Sequence, residues 1–150
     1  MSASTIETYM DYFRAFENAM ETGNWESVNE LLHDDVSYTV DGVPFACHVE
    51  GKAPVLAAFQ KSTSGFDATM DLRQLEIVSM LRTGESTIRI ELVSGYGRGS
   101  VGTMTAPVSM EAEVKDGKIY RLHDFYDPVL TTHALAWLAT HMPDADPSYV

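Results

Sequence analysis

The hydrophobic period of this chain changes from mainly helical to strand-like near Phe66. Before that point, apolar residues recur at three- and four-residue spacing, the mark of amphipathic helices. After it, short strand-like runs follow one another, separated by turn residues. Helices segregated ahead of a run of strands predict an α+β domain with an antiparallel sheet, rather than a helix bundle or a parallel βαβ sheet.

Ile6, Tyr9, Met10, Phe13, Phe16, Ala19 and Met20 predict a first helix from about Ser4 to Thr22. Ser4 and Glu7 form a capping box, and Gly23 is placed to end the helix in the left-handed conformation. A second helix is expected over Trp25–Leu32 with Asn24 as its cap, then a strand at Val36–Val40 and a turn at Asp41-Gly42. A loop with Pro44, Cys47 and His48 leads to a third helix, Lys52–Ser62, with Pro54 in its first turn. Four strands are expected over 69–81, 86–95, 101–114 and 118–126, with hairpin turns at Thr83-Gly84-Glu85 and Asp116-Gly117. Asp127-Pro128 then opens a final helix that stops before Pro143. The expected order is α-α-β-α-β-β-β-β-α: one domain over residues 1–142, then a loose tail at 143–150. A curved sheet wrapped around the helices would leave a concave pocket for a small molecule.

Charge and composition narrow the partners. Acidic residues outnumber basic ones 22 to 10, for a formal charge of -12, which disfavours nucleic acid and anionic membrane surfaces. No apolar run approaches the roughly 20 residues of a spanning helix. The Met1–Glu7 stretch has neither the basic nor the apolar region of a signal peptide, and Cys47 is the single cysteine, so a reducing cytoplasm is the expected location.

Two stretches put ionisable groups inside strand-like runs: Arg89-Ile90-Glu91 and His123-Asp124-Phe125-Tyr126-Asp127. Arg89 and Glu91 share one strand face, while Ile88, Ile90 and Leu92 share the other. Either the charged face meets water and the isoleucines meet the core, or the charges point into a pocket. Alternation does not choose for the last strand, because Leu122 and Phe125 are both apolar.

The element order, together with Gly23-Asn24-Trp25, Leu31-Leu32-His33-Asp34-Asp35-Val36, Glu50-Gly51-Lys52, Asp116-Gly117-Lys118-Ile119 and Phe125-Tyr126-Asp127-Pro128, resembles the SnoaL-like branch of the nuclear transport factor 2-like superfold. Limonene-epoxide hydrolase-like members carry an Arg-x-Asp pair facing the pocket and a second Asp on the last strand. By that resemblance Arg89, Glu91 and Asp124 form a catalytic set, with Glu91 the acid and Asp124 the water-activating base. Tyr38, His48, Phe16 and Trp25 are then expected to bind the substrate. The isoleucine face would pack on a second copy, giving a homodimer through the sheet. Glu91 stands where those members have Asp, and Val40 stands where a water-holding Asn follows the Tyr. The positions of the ketosteroid isomerase oxyanion donors are matched by Phe16 and Ser109. The resemblance therefore implies a reaction class rather than one reaction.

Gly97-Arg98-Gly99-Ser100-Val101-Gly102 matches the dinucleotide-binding fingerprint in form only, since no helix and no βαβ unit follow. No HExxH or CxxC spacing occurs, so neither metal nor cofactor is expected. Two function classes stand open. One is a cofactor-independent hydrolase, cyclase, dehydratase or isomerase acting on a small apolar molecule by acid–base chemistry. The other is a non-catalytic ligand-binding or dimerisation module.

Overall fold

The first two helices form within a residue or so of their expected bounds, while the strand expected at Val36–Val40 runs over Leu32–Asp41. The computed structural model describes residues 4–150; the first part of the Met1–Glu7 leader reading lies outside them. Helix α1 (Thr5–Thr22) opens with the Ser4–Glu7 capping box and closes on Gly23 at φ 76°, whose N–H donates to the Ala19 carbonyl. Asn24 Oδ1 accepts from the Glu26 N–H and starts the short α2 (Glu26–Leu31).

Six strands form one sheet: β1 (Leu32–Asp41), β2 (Cys47–Glu50), β3 (Leu72–Arg82), β4 (Thr87–Gly97), β5 (Thr103–Lys115) and β6 (Lys118–Phe125). Their spatial order is β2-β1-β6-β5-β4-β3. Strand β2 replaces the loop expected around Cys47 and His48. It pairs antiparallel with β1, and its four residues are too few to show a period. The β1–β6 pair is parallel, so the sheet is mixed rather than wholly antiparallel. The Asp116-Gly117 hairpin holds both residues at positive φ (53° and 72°), as its composition requires. At Gly42 a Cβ would sit 2.7 Å from the Tyr126 Cβ, so only glycine allows β1 to turn against that residue.

Helices α1 and α3 (Lys52–Gly65) pack against this sheet. Ile88, Ile90 and Leu92 of β4 face them, at 0%, 0% and 3% exposure. The isoleucine face is therefore the core, and the dimer interface expected on it is not there. Burying such side chains is the main source of stability in a domain of this size. Asp127 accepts from the Val129 and Leu130 N–H groups in a turn, and α4 (Thr132–His141) begins later than its Pro128 suggested.

The segment expected as a loose tail is placed against the domain. Ala145 and Tyr149 pack on the core, and Lys61 Nζ donates to Ser148 Oγ at 2.8 Å. Tyr149 lies edge-on to Tyr38, with ring centroids 5.2 Å apart. A single aromatic residue in a proline-spaced segment has no periodicity to advertise this docking.

Candidate functional site

Between the helices and the inner face of the sheet lies a cavity of about 100 Å³. Its walls are mainly aromatic, including Tyr12, Phe16, Phe59 and Tyr126, and Tyr149 of the tail closes part of it. The polar groups in this wall are few, which makes each one informative.

Asp124 is the central one. Leu122 and Asp124 share the inward face of β6, because a shift in the β5–β6 register between Glu113 and Val114 resets the alternation ahead of them. Asp124 is 5% exposed. Its Oδ2 accepts a 2.9 Å hydrogen bond from the Tyr38 hydroxyl, while Oδ1 is buried with no protein partner. Tyr38 reaches it from β1, where Val40 is in register with Asp124. Burial pushes the Asp124 carboxyl up to about 7; the Tyr38 hydrogen bond and the charge of His123 hold it from rising further. A carboxyl with that pKa exchanges its proton readily at neutral pH. Burial also raises the Tyr38 phenol well above its usual value, with the Asp124 charge adding to it, so Tyr38 stays a donor.

Arg89 and Glu91 do not join this group. Their side chains lie on the outer face, 52% and 40% exposed. Arg89 Nε donates to Glu91 Oε1 at 2.9 Å, and Ser109 Oγ donates to Glu91 Oε2. Of the three residues expected together, only Asp124 lines the cavity, because the inward positions of β4 are taken by Ile88, Ile90 and Leu92. His123 also faces outward, against Asp41. His48 is on the outer face as well, bonded to Thr39 and Glu50 and away from the cavity. Trp25 packs edge-on against Phe16 from outside, with centroids 5.2 Å apart, and does not line the cavity. Of the expected binding residues, Tyr38 and Phe16 line it.

The structure adds a second polar cluster that the sequence reading did not find. Arg73 of β3 donates from Nη1 to Glu17 Oε2 at 2.7 Å and from Nε to Asp67 Oδ2 at 2.5 Å. Burial works against the Arg73 cation, but the hydrogen bond to Glu17 and the charges of Asp67 and Glu17 outweigh it and raise its pKa. Burial is also the leading influence on Asp67, raising its carboxyl despite Arg73. One signal was present in the sequence: Glu17 interrupts the apolar stripe of α1, one turn beyond Phe13. Its partners, 50 and 56 residues away, gave none. Cys47, half-buried, has its thiol pushed up to about 11, chiefly by burial, as expected of an unreactive cysteine. Among the described residues no group of three His, Cys, Asp or Glu side chains is placed to hold a metal ion, and no helix is long and apolar enough to cross a membrane.

The fold recurs in solved structures. A nuclear transport factor 2-like protein from Anabaena variabilis is 19% identical, with 82% of this chain and 89% of that one covered and a TM-score of 0.61. One from Burkholderia thailandensis is 14% identical over 89% and 98%, with a TM-score of 0.66. A hypothetical protein with a ketosteroid isomerase-like fold from Catenulispora acidiphila, in complex with trimethylamine, is 15% identical over 82% and 91%, with a TM-score of 0.61. These likenesses are likenesses of fold. No curated protein matches the sequence. The SnoaL-like domain family matches residues 13–122, a segment that ends two residues short of Asp124. Because that match runs from within α1 to within β6, it takes in most of the scaffold around the cavity, and the chain belongs to the SnoaL-like domain family.

Proposed function

We propose that this protein is an acid–base enzyme acting on a small, mostly apolar molecule, with Asp124 as the group that moves the proton. The observation that carries this is the Asp124 carboxyl: buried, poised near neutrality, with one oxygen tied to Tyr38 and the other unpartnered in the cavity. A merely structural buried aspartate would have both oxygens satisfied.

In this reading Oδ1 takes a proton from a carbon next to a carbonyl and leaves an enolate. The Tyr38 hydroxyl stabilises the ionised carboxylate before the transfer. The same carboxyl then returns the proton: to the far carbon of the enolate, which gives an isomerisation, or to the alkoxide formed when the enolate carbon attacks a second carbonyl of the same molecule, which gives a cyclisation. Glu91 is outside the cavity and the Glu17 and Asp67 carboxylates are engaged by Arg73, so the Asp124 carboxyl serves as base and then as acid.

The test is proton–deuterium exchange into a panel of enones and polyketide-like rings, followed by NMR. Wild type should exchange one of them with a rate that rises through about pH 7 as Asp124 ionises. Asp124→Asn, folded by circular dichroism, should lose at least about 100-fold, the usual contribution of a general base. A variant with the parent's rate would sink the assignment.

The seating of Tyr149 in the cavity favours a second reading, a binding module without turnover. That reading is supported if a panel member binds but exchanges no faster than in buffer.

A further inference from the structure

Two buried side-chain polar atoms lack a hydrogen-bond partner among the described residues: Asp124 Oδ1 and Glu17 Oε1. Both residues line the same cavity, and both atoms are acceptors when ionised. An acceptor cut off from bulk solvent is costly to leave unpaired, so whatever fills the cavity, water or ligand, supplies a donor to each. Glu17 does not stand alone. Arg73 and Asp67 are bonded around it, and these three residues with Phe13 line both the cavity and a wider groove open to solvent outside it. The cluster is the partition between the two.

Its charge has a sign. One guanidinium faces two carboxylates, and both of the arginine bonds found go to them. The outer groove adds Glu21 and Asp71 against Arg14. An anion crossing this partition meets a formal excess of negative charge and an arginine already engaged. A neutral or cationic donor meets an open acceptor.

We propose that Glu17, Arg73 and Asp67 form the doorway and the second polar subsite of the cavity. Glu17 Oε1 accepts from a hydroxyl or ammonium at one end of the substrate, while the other end lies at Asp124; carboxylates and phosphates are rejected. This rests on the reading of the cavity as the substrate site, but not on Asp124 being catalytic. The substrate class that follows is a compact molecule, aromatic or alicyclic, with hydrogen-bond donors at both ends.

Three single-ring probes of nearly equal length test it by titration calorimetry at low salt: tyrosol, tyramine and 4-hydroxyphenylacetate. Each offers a phenol to Asp124 and a different second end. In wild type, tyramine and tyrosol should bind, with 4-hydroxyphenylacetate at least about ten-fold weaker than tyramine, since one charge-assisted hydrogen bond is worth that much or more. Glu17→Gln should weaken tyramine by about ten-fold and move tyrosol by less than about three-fold. The comparison within wild type needs no variant, so a Glu17→Gln protein that fails to fold leaves it intact. Equal affinity for the anion, loss of no tyramine affinity in a folded Glu17→Gln, or failure of all three to bind at millimolar concentration would overturn the proposal. Loss of exchange in Asp124→Asn with no charge preference among the probes would leave the acid–base reading standing and remove this one.

Discussion

At the scale of single residues, exposure separates groups that looked alike in the sequence. Asp124 and Glu91 are both carboxylates on strands, yet one is 5% exposed and the other shares an outer-face ion pair with Arg89. For Asp124 this makes stability depend on pH. The unfolded chain releases the proton near 3.8, while the fold holds it to about 7. Between those values the native state binds more protons, so its stability falls as pH rises through the window, by about 1.4 kcal/mol per pH unit and about 4 kcal/mol in all. Asp124→Asn removes that dependence. Its melting temperature relative to wild type should climb from pH 4 to pH 7 and level off above, in a calorimetric series; a flat difference would mean that Asp124 titrates normally. Tyr38→Phe takes away a donor to the carboxylate, so the midpoint of the exchange-rate profile should move up by about one pH unit.

Elements decide which residues those are. Strand β4 holds Ile88, Ile90 and Leu92 against the helices, and this commits Arg89 and Glu91 to water. Ile90→Ala should cost about 2–5 kcal/mol in denaturant unfolding, as a large-to-small change in a packed core does. Arg89→Ala should cost under about 1 kcal/mol and leave exchange activity unchanged, because an exposed ion pair contributes little. A loss of activity in Arg89→Ala would return that residue to the site. Strand β6 makes the opposite commitment: one register shift ahead of Leu122 leaves Asp124 inside and His123 outside.

The whole molecule brings together parts that are remote in sequence. Tyr38 and Asp124 are 86 residues apart, Glu17 and Arg73 are 56 apart, and Tyr149 arrives from the last turn of chain to close the same cavity. The tail's polar tie to α3, Lys61 to Ser148, is exposed. Tyr149→Ala should therefore open space at a cost of about 1–2 kcal/mol. It should also admit 2-naphthol, a two-ring probe that the parent binds at least about ten-fold more weakly, by fluorescence titration. Equal affinity in both proteins would show that Tyr149 does not limit the cavity.

Local chemistry was legible in the sequence because it acts over a few residues. The Ser4–Glu7 box, the Gly23 cap, the Asp116-Gly117 hairpin and the change of period at Phe66 each carry their own physical cause, and together they dictate helices followed by strands. The apolar stripe of α1 and the apolar face of β4 were equally plain. Which face of β4 would be covered was not, because a strand with one apolar and one charged face reads the same whether its charges meet water or a pocket. The short β2, the parallel β1–β6 pairing, the docking of Tyr149 and the Glu17–Arg73–Asp67 cluster depend on contacts across 7 to more than 100 residues, which leave no period behind. The sequence alone determined the order of elements apart from β2, and its family resemblance proposed Asp124. Only the tertiary structure decided that Asp124 is desolvated beside Tyr38 while Arg89 and Glu91 are not, since desolvation belongs to the packed fold and not to any stretch of chain.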